Sequence, residues 1–167
     1  MSTYYYLVAG LPDISLEDGK LSYTVDSFKT ELYPELSVKD RQIIDLFYLK
    51  FDNEDLLKLL KDKDARVSGR GNFSSEEWLQ LIDAVREGVI PDSRFPTYLY
   101  DFISRYFTLS PDELYSAQDL LAAAYYAYAM QCSNRFVSGW FEFSLNLNNI
   151  LAALSARKYK LDVDNVV

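Results

Sequence analysis

Phe47-Tyr48-Leu49-Lys50-Phe51-Asp52-Asn53-Glu54-Asp55-Leu56-Leu57-Lys58-Leu59-Leu60-Lys61-Asp62-Lys63 is the stretch on which the reading of this chain turns. Leu56, Leu57, Leu59 and Leu60 supply an apolar helical face. Asp55 lies toward the start of that helix and Lys58, Lys61 and Lys63 toward its end, a charge order that complements the helix dipole. Asp52 or Asn53 is placed to cap it, so Asp52, Glu54 and Asp55 read as caps and first-turn acids rather than as a metal or acid–base cluster.

The pattern recurs 94 positions later, where Phe141, Phe143, Leu145, Asn146, Asn149, Ile150, Leu151 and Leu154 fall on Phe47, Leu49, Phe51, Asp52, Asp55, Leu56, Leu57 and Leu60. Every pair keeps its character, apolar on apolar or Asn on Asp. A period this long suggests a duplicated domain-like unit rather than a short solenoid repeat. The expected architecture is therefore an all-α helical bundle of two similar units, residues 1–90 and 97–167, joined near Pro91–Pro96. The repeat predicts that Leu57 matches Leu151 in burial and Leu60 matches Leu154, because residues three apart on a helix share a face. It also predicts that Val38–Lys50 and Ser116–Met130 pack alike on their motif helices.

Upstream, Ile43, Ile44, Phe47 and Tyr48 recur at helical spacing, and Ser37 is a good N-cap for a helix over Val38–Lys50. Tyr23–Leu32 reads as a short helix stopped near Pro34. Tyr4–Ala9 is too uniformly apolar to show a period, and fits a short strand or a buried helical turn. Downstream, Val67-Ser68-Gly69-Arg70-Gly71-Asn72 reads as a surface loop; it lacks the Gly-Lys-Ser/Thr ending of a phosphate loop. Ser74 or Ser75 caps a helix carrying Trp78, Leu81, Ile82 and Val85, closed by Gly88. Tyr98, Phe102 and Ile103 mark the next. Ser110-Pro111-Asp112-Glu113 opens a long one, apolar nearly all round, which predicts a central helix near Leu114–Met130 with Ala123 buried. Asn134–Gly139 is a candidate break before the last helix, which runs to Tyr159.

Composition narrows function more by exclusion than by indication. The 167 residues hold 49% hydrophobic and 16% aromatic side chains, enough for a real core and too many for a disordered chain. A net charge of −8 leaves no basic face to neutralise phosphates, which argues against nucleic acid and against docking on an anionic lipid surface. There is no histidine, and Cys132 is the single cysteine, so neither a Ser-His-Asp device nor a zinc site is expected. No cofactor is expected. The longest apolar run, Leu120–Met130, falls short of the roughly 20 residues that cross a bilayer. With no basic segment before Tyr4–Ala9 to mark a secretory signal, the expectation is a cytoplasmic protein without a membrane span.

The motif resembles the repeated signature of the C-type subunit of V/A-type ATPases (the d-type subunit in eukaryotes): an acid or Asn, Asn or Asp three on, an apolar pair, and a Leu-x-x-Leu turn leading to basic residues. The opening Tyr4-Tyr5-Tyr6-Leu7-Val8-Ala9-Gly10-Leu11-Pro12-Asp13, with Leu46–Asn53, is similar to an uncharacterised bacterial family, domain of unknown function family 2764, encoded among V-type ATP synthase subunits. The resemblance implies a non-catalytic helical subunit that couples the central stalk to the membrane rotor ring, with other ATPase subunits as partners at the inner face of the membrane. The alternative is a cytoplasmic adaptor or assembly factor for an unrelated protein. Lys61 stands where that signature usually has Arg, Ser155 holds the same place in the second copy, and Asn146 replaces the first acid. The C-type subunit has three such repeats, which would leave the second unit here cut short.

Overall fold

Between Ser37 and Asp62 the chain contains no proline or glycine, and nothing in it obliges a helix to stop. In the computed structural model, which describes residues 4–13, 15, 17, 19, 24–89 and 93–160, that whole stretch is one helix of 24 residues. The described elements are α1 (Tyr5–Ala9), α2 (Val25–Leu32), a 3-10 turn (Tyr33–Glu35), α3 (Val38–Lys61), α4 (Ser75–Arg86), α5 (Thr97–Tyr106), α6 (Pro111–Tyr115), α7 (Ala117–Ala129) and α8 (Arg135–Tyr159). The described residues are all-helical in architecture, without a strand. Tyr23 and Pro91, which open an expected helix and an expected linker, lie outside them.

Caps sit where small oxygen-bearing side chains predict them. Ser37 accepts from Asp40 N, while Ser74 with Glu77 and Ser110 with Glu113 form full capping boxes. Asp52 and Asn53 do not cap; they lie within α3, and the expected boundary after Lys50 is absent. The long helix expected from Ser110 is in fact two, α6 and α7, divided at Ser116. Residues from Asn134 onward do not break the chain either, since Asn134 caps α8 by accepting from Phe136 N and Val137 N. Of the two readings of Tyr4–Ala9, the helical turn is the one observed, but α1 buries nothing. The Tyr4 hydroxyl ties it down, donating to Asp40 at 2.5 Å and accepting from Ser37 N.

The core lies where α3, α4, α5 and α7 meet. Leu49, Leu56 and Leu59 of α3, Trp78, Leu81 and Ile82 of α4, Leu99 and Ile103 of α5, and Leu121 and Ala129 of α7 form one apolar cluster, closed by Val137 and Phe141 of α8. Phe73 stacks on Phe95 at 4.5 Å and meets Trp78 edge-on at 5.2 Å, which pins the loop before α4 to the segment before α5. α7 touches α3, α5 and α8, and so takes the central place expected of it. Its buried row is Ala117, Leu121, Tyr125 and Ala129, however, and Ala123 faces solvent.

Candidate functional site

The row Leu49, Asp52, Leu56, Leu59 follows the spacing of one helix face, so a continuous α3 carries Asp52 into the core. Asp52 is 1% exposed and Asp55 3%. Each buried carboxylate must find donors, and both find them in residues 68–73. Asp52 accepts from Asn72 N at 2.9 Å and from Phe73 N at 3.2 Å. Asp55 accepts from Ser68 N at 2.9 Å and from Ser68 Oγ at 2.7 Å, and pairs with Lys58 at 2.9 Å. The segment expected to be a surface loop is one, with Ser68–Arg70 exposed, and two carboxylates clamp it along α3.

Gly71 is required by this arrangement. A Cβ there would overlap the Asp52 carboxylate, coming within 2.6 Å of its Cγ. From the far side, Lys29 Nζ donates to Gly71 O at 2.6 Å and lies 4.2 Å from the centre of the Tyr48 ring. Asn72 Nδ2 donates to the Asp45 carbonyl, and the Tyr33 hydroxyl donates to the Asp45 carboxylate at 2.8 Å. One residue along α3 from Asp52, the Asn53 amide oxygen accepts from the Tyr98 hydroxyl at 2.8 Å, joining α3 to α5.

The electrostatics follow from burial. Loss of water pushes Asp52 up to about 6, against the pull of the Asn72 and Phe73 amides and of Lys29. Burial also acts to raise Asp55, but bonds from Lys58 and Ser68 outweigh it and hold the carboxyl below its usual range. Asp45 is raised and Lys29 lowered, both chiefly by burial. Asp52 and Asp55 are buried, and their carboxylates accept hydrogen bonds from residues of the 68–73 segment. An open cleft of about 960 Å3 lies alongside, bordered by Lys29, Asp45, Glu77, Arg94 and Cys132. Its charges are mixed, and Arg94 is paired with Glu77 at 3.0 Å. Among the described residues no three Cys, Asp or Glu side chains gather as a metal-binding group.

The second motif copy lies in different surroundings. Asn146 and Asn149 are exposed on α8, as are Leu151 at 52% and Leu154 at 56%, whereas Leu57 and Leu60 are half-buried. The expected match in burial is not met. Nor can Val38–Lys50 pack on its motif helix as Ser116–Met130 would on α8, because it is the same helix, α3. The spacing signal places the motif within long helices in both copies but selects the wrong leucines in the first, since Leu56 and Leu59 are the buried pair.

What α8 exposes is a second candidate surface. Phe136, Trp140, Phe143, Leu147, Ile150 and Leu154 succeed one another at steps of four and three residues, and all stand open, with Leu151 beside them. At about 100° per residue this seam lies across the helix from Val137, Phe141 and Ala156, which face the body of the protein. Between Phe136 and Ala156 the only charged side chain is Glu142. The motif alone accounts for one apolar stripe on this helix. The uninterrupted heptad spacing is the signal for a second one.

No described helix is long and apolar enough to cross a membrane. Neither a curated protein nor a solved structure matches the chain. One family does, over residues 1–167, and on that match the chain belongs to the family described as a protein of unknown function, DUF2764.

Proposed function

We propose that this protein is a non-catalytic helical subunit of a larger assembly, and that the assembly is a V/A-type rotary ATPase, in which it serves as a coupling element like the C-type subunit between the central stalk and the membrane ring. The carrying observation is the open apolar seam of α8, seven large side chains on a helix whose other face is already packed. Soluble monomers rarely leave a contiguous apolar patch of this size uncovered, and such patches mark interaction sites. The buried acids of α3 support the same reading, because their hydrogen bonds are used to hold the chain's own loop. The ATPase as the particular assembly rests on the resemblance of the opening residues and of the motif around Asp52–Lys61.

Affinity-tagged protein recovered from native membranes, followed by quantitative mass spectrometry, tests this. Recovery of central-stalk and ring subunits in fixed ratio to the tagged chain is the expected result. Recovery without any ATPase subunit would overturn the coupling role and leave an adaptor or assembly factor with another protein partner.

A further inference from the structure

We infer that the occupant of the α8 seam is a second copy of the same helix, running antiparallel across a two-fold axis. This rests on reading α8 as an assembly face and is independent of the ATPase. The argument begins with the order of residues. The N-terminal half of the seam is aromatic, Phe136, Trp140 and Phe143, and the C-terminal half is aliphatic, Leu147, Ile150 and Leu154. Pairing two such helices in parallel would set aromatic on aromatic at one end and aliphatic on aliphatic at the other.

Reversing one helix makes every layer mixed. Phe136 then meets Leu154, Trp140 meets Ile150 and Phe143 meets Leu147, and the steps of four and three keep all six layers in register. A seam with this symmetry is complementary to itself, as a two-fold interface requires.

The flanks agree. Gly139, Asn146 and Ala153 follow one another seven apart along one side of the seam. In the antiparallel pair Gly139 lies across from Ala153 of the second copy, and the two Asn146 amides meet near the axis. A glycine inside a helix is unfavourable, and a Cβ at Gly139 would meet nothing within 4 Å in its own chain. Close approach of a second helix gives it a reason.

The area suffices. Seven side chains about half exposed, at roughly 150–200 Å2 each, offer on the order of 700 Å2 per copy, close to the ~800 Å2 that each partner buries in a stable interface.

The full chain, purified alone and followed by sedimentation velocity over micromolar to hundred-micromolar concentrations, is expected to show twice the 19.3 kDa chain mass. Phe143→Glu and Leu147→Glu should each halve that mass. Both side chains are exposed, so the helical circular dichroism should be unchanged. Direction is read by cross-linking in a Cys132→Ser background. Phe136→Cys protein mixed with Leu154→Cys protein should form the mixed disulfide, while neither alone should form its own.

A monomer at every concentration would overturn the proposal, even if the protein is recovered with ATPase subunits. A dimer indifferent to both glutamates would also overturn it, and self-disulfides of the single variants would overturn the antiparallel pairing. A dimer with the mixed disulfide stands whether or not any ATPase subunit is recovered from membranes.

Discussion

Asp52 is the residue on which the local arrangement depends. It holds Asn72 and Phe73 by their backbone amides, and it does so with a carboxyl whose affinity for protons burial has raised from 3.8 to about 6. A carboxyl raised in the folded state binds its proton there more readily than in the unfolded chain, so its contribution to stability grows as pH falls from 7 through about 6 toward 3.8. Urea unfolding at pH 7 and pH 5 should therefore show the wild type gaining on Asp52→Asn by about 1 kcal/mol, since ~1.4 kcal/mol per pH unit accrues only below about pH 6. A loss over the same interval would mean the carboxyl is not desolvated. Asp55 acts in the opposite sense at lower pH. Its carboxyl is lowered, so its stabilisation is present above 3.8 and disappears as pH falls through the still lower folded value. Gly71→Ala should cost about 1–3 kcal/mol, because the added methyl must displace the Asp52 carboxylate or the loop; an unchanged melting temperature would show that the loop gives way freely. By residue type Asp52 reads as a cap, and its burial was legible in the row Leu49, Asp52, Leu56, Leu59 only if α3 is one continuous helix. Its partners were not, because Asn72 and Phe73 offer backbone amides, and any residue but proline has one.

At the scale of elements, the caps and the apolar stripes of α4 and α5 were readable because one local signal decided each. The extent of α3 was not, because Asp52 and Asn53 fit a cap and a helix interior equally well by residue type, and only their tertiary partners distinguish the two. In α7 the alanines and tyrosines make an all-round apolar helix with no period to say which face the core would take. The core took Ala117, Leu121, Tyr125 and Ala129, each four residues from the last. Ala129→Leu should thus overpack the contact of α7 with its neighbours and cost about 1–3 kcal/mol, while Ala123→Leu should stay within about 0.5 kcal/mol of wild type. Thermal melts of the two variants side by side check this, and equal shifts would place the buried face elsewhere. α8 posed the opposite difficulty. It is apolar on two opposed faces, and the sequence shows both without saying which one the protein itself covers.

For the molecule as a whole, the question is whether the chain is two units or one. A repeat at a distance of 94 residues suggests a first unit over residues 1–90 and a second over 97–167. The apolar cluster instead draws on both sides of that boundary. Leu56, Leu59 and Trp78 come from the first stretch, Leu99, Ile103 and Leu121 from the second, and each is at most 1% exposed. Polar bonds cross as well, from the Tyr98 hydroxyl to Asn53 and from the Tyr125 hydroxyl to the Leu46 carbonyl at 2.9 Å. A fragment ending at residue 90 would leave those three side chains of α3 and α4 in water, at about 1.5–3 kcal/mol for each large apolar side chain exposed. Against a net stability of about 5–15 kcal/mol for an ordinary domain, such losses are decisive. We therefore expect that residues 1–90 and 97–167, produced separately, each lack a cooperative thermal transition, and that mixing them restores helicity and a single melt. Circular dichroism with temperature measures both. If either fragment melts cooperatively alone, the chain contains an independent folding unit, and the duplication inferred from the two motifs regains its physical basis.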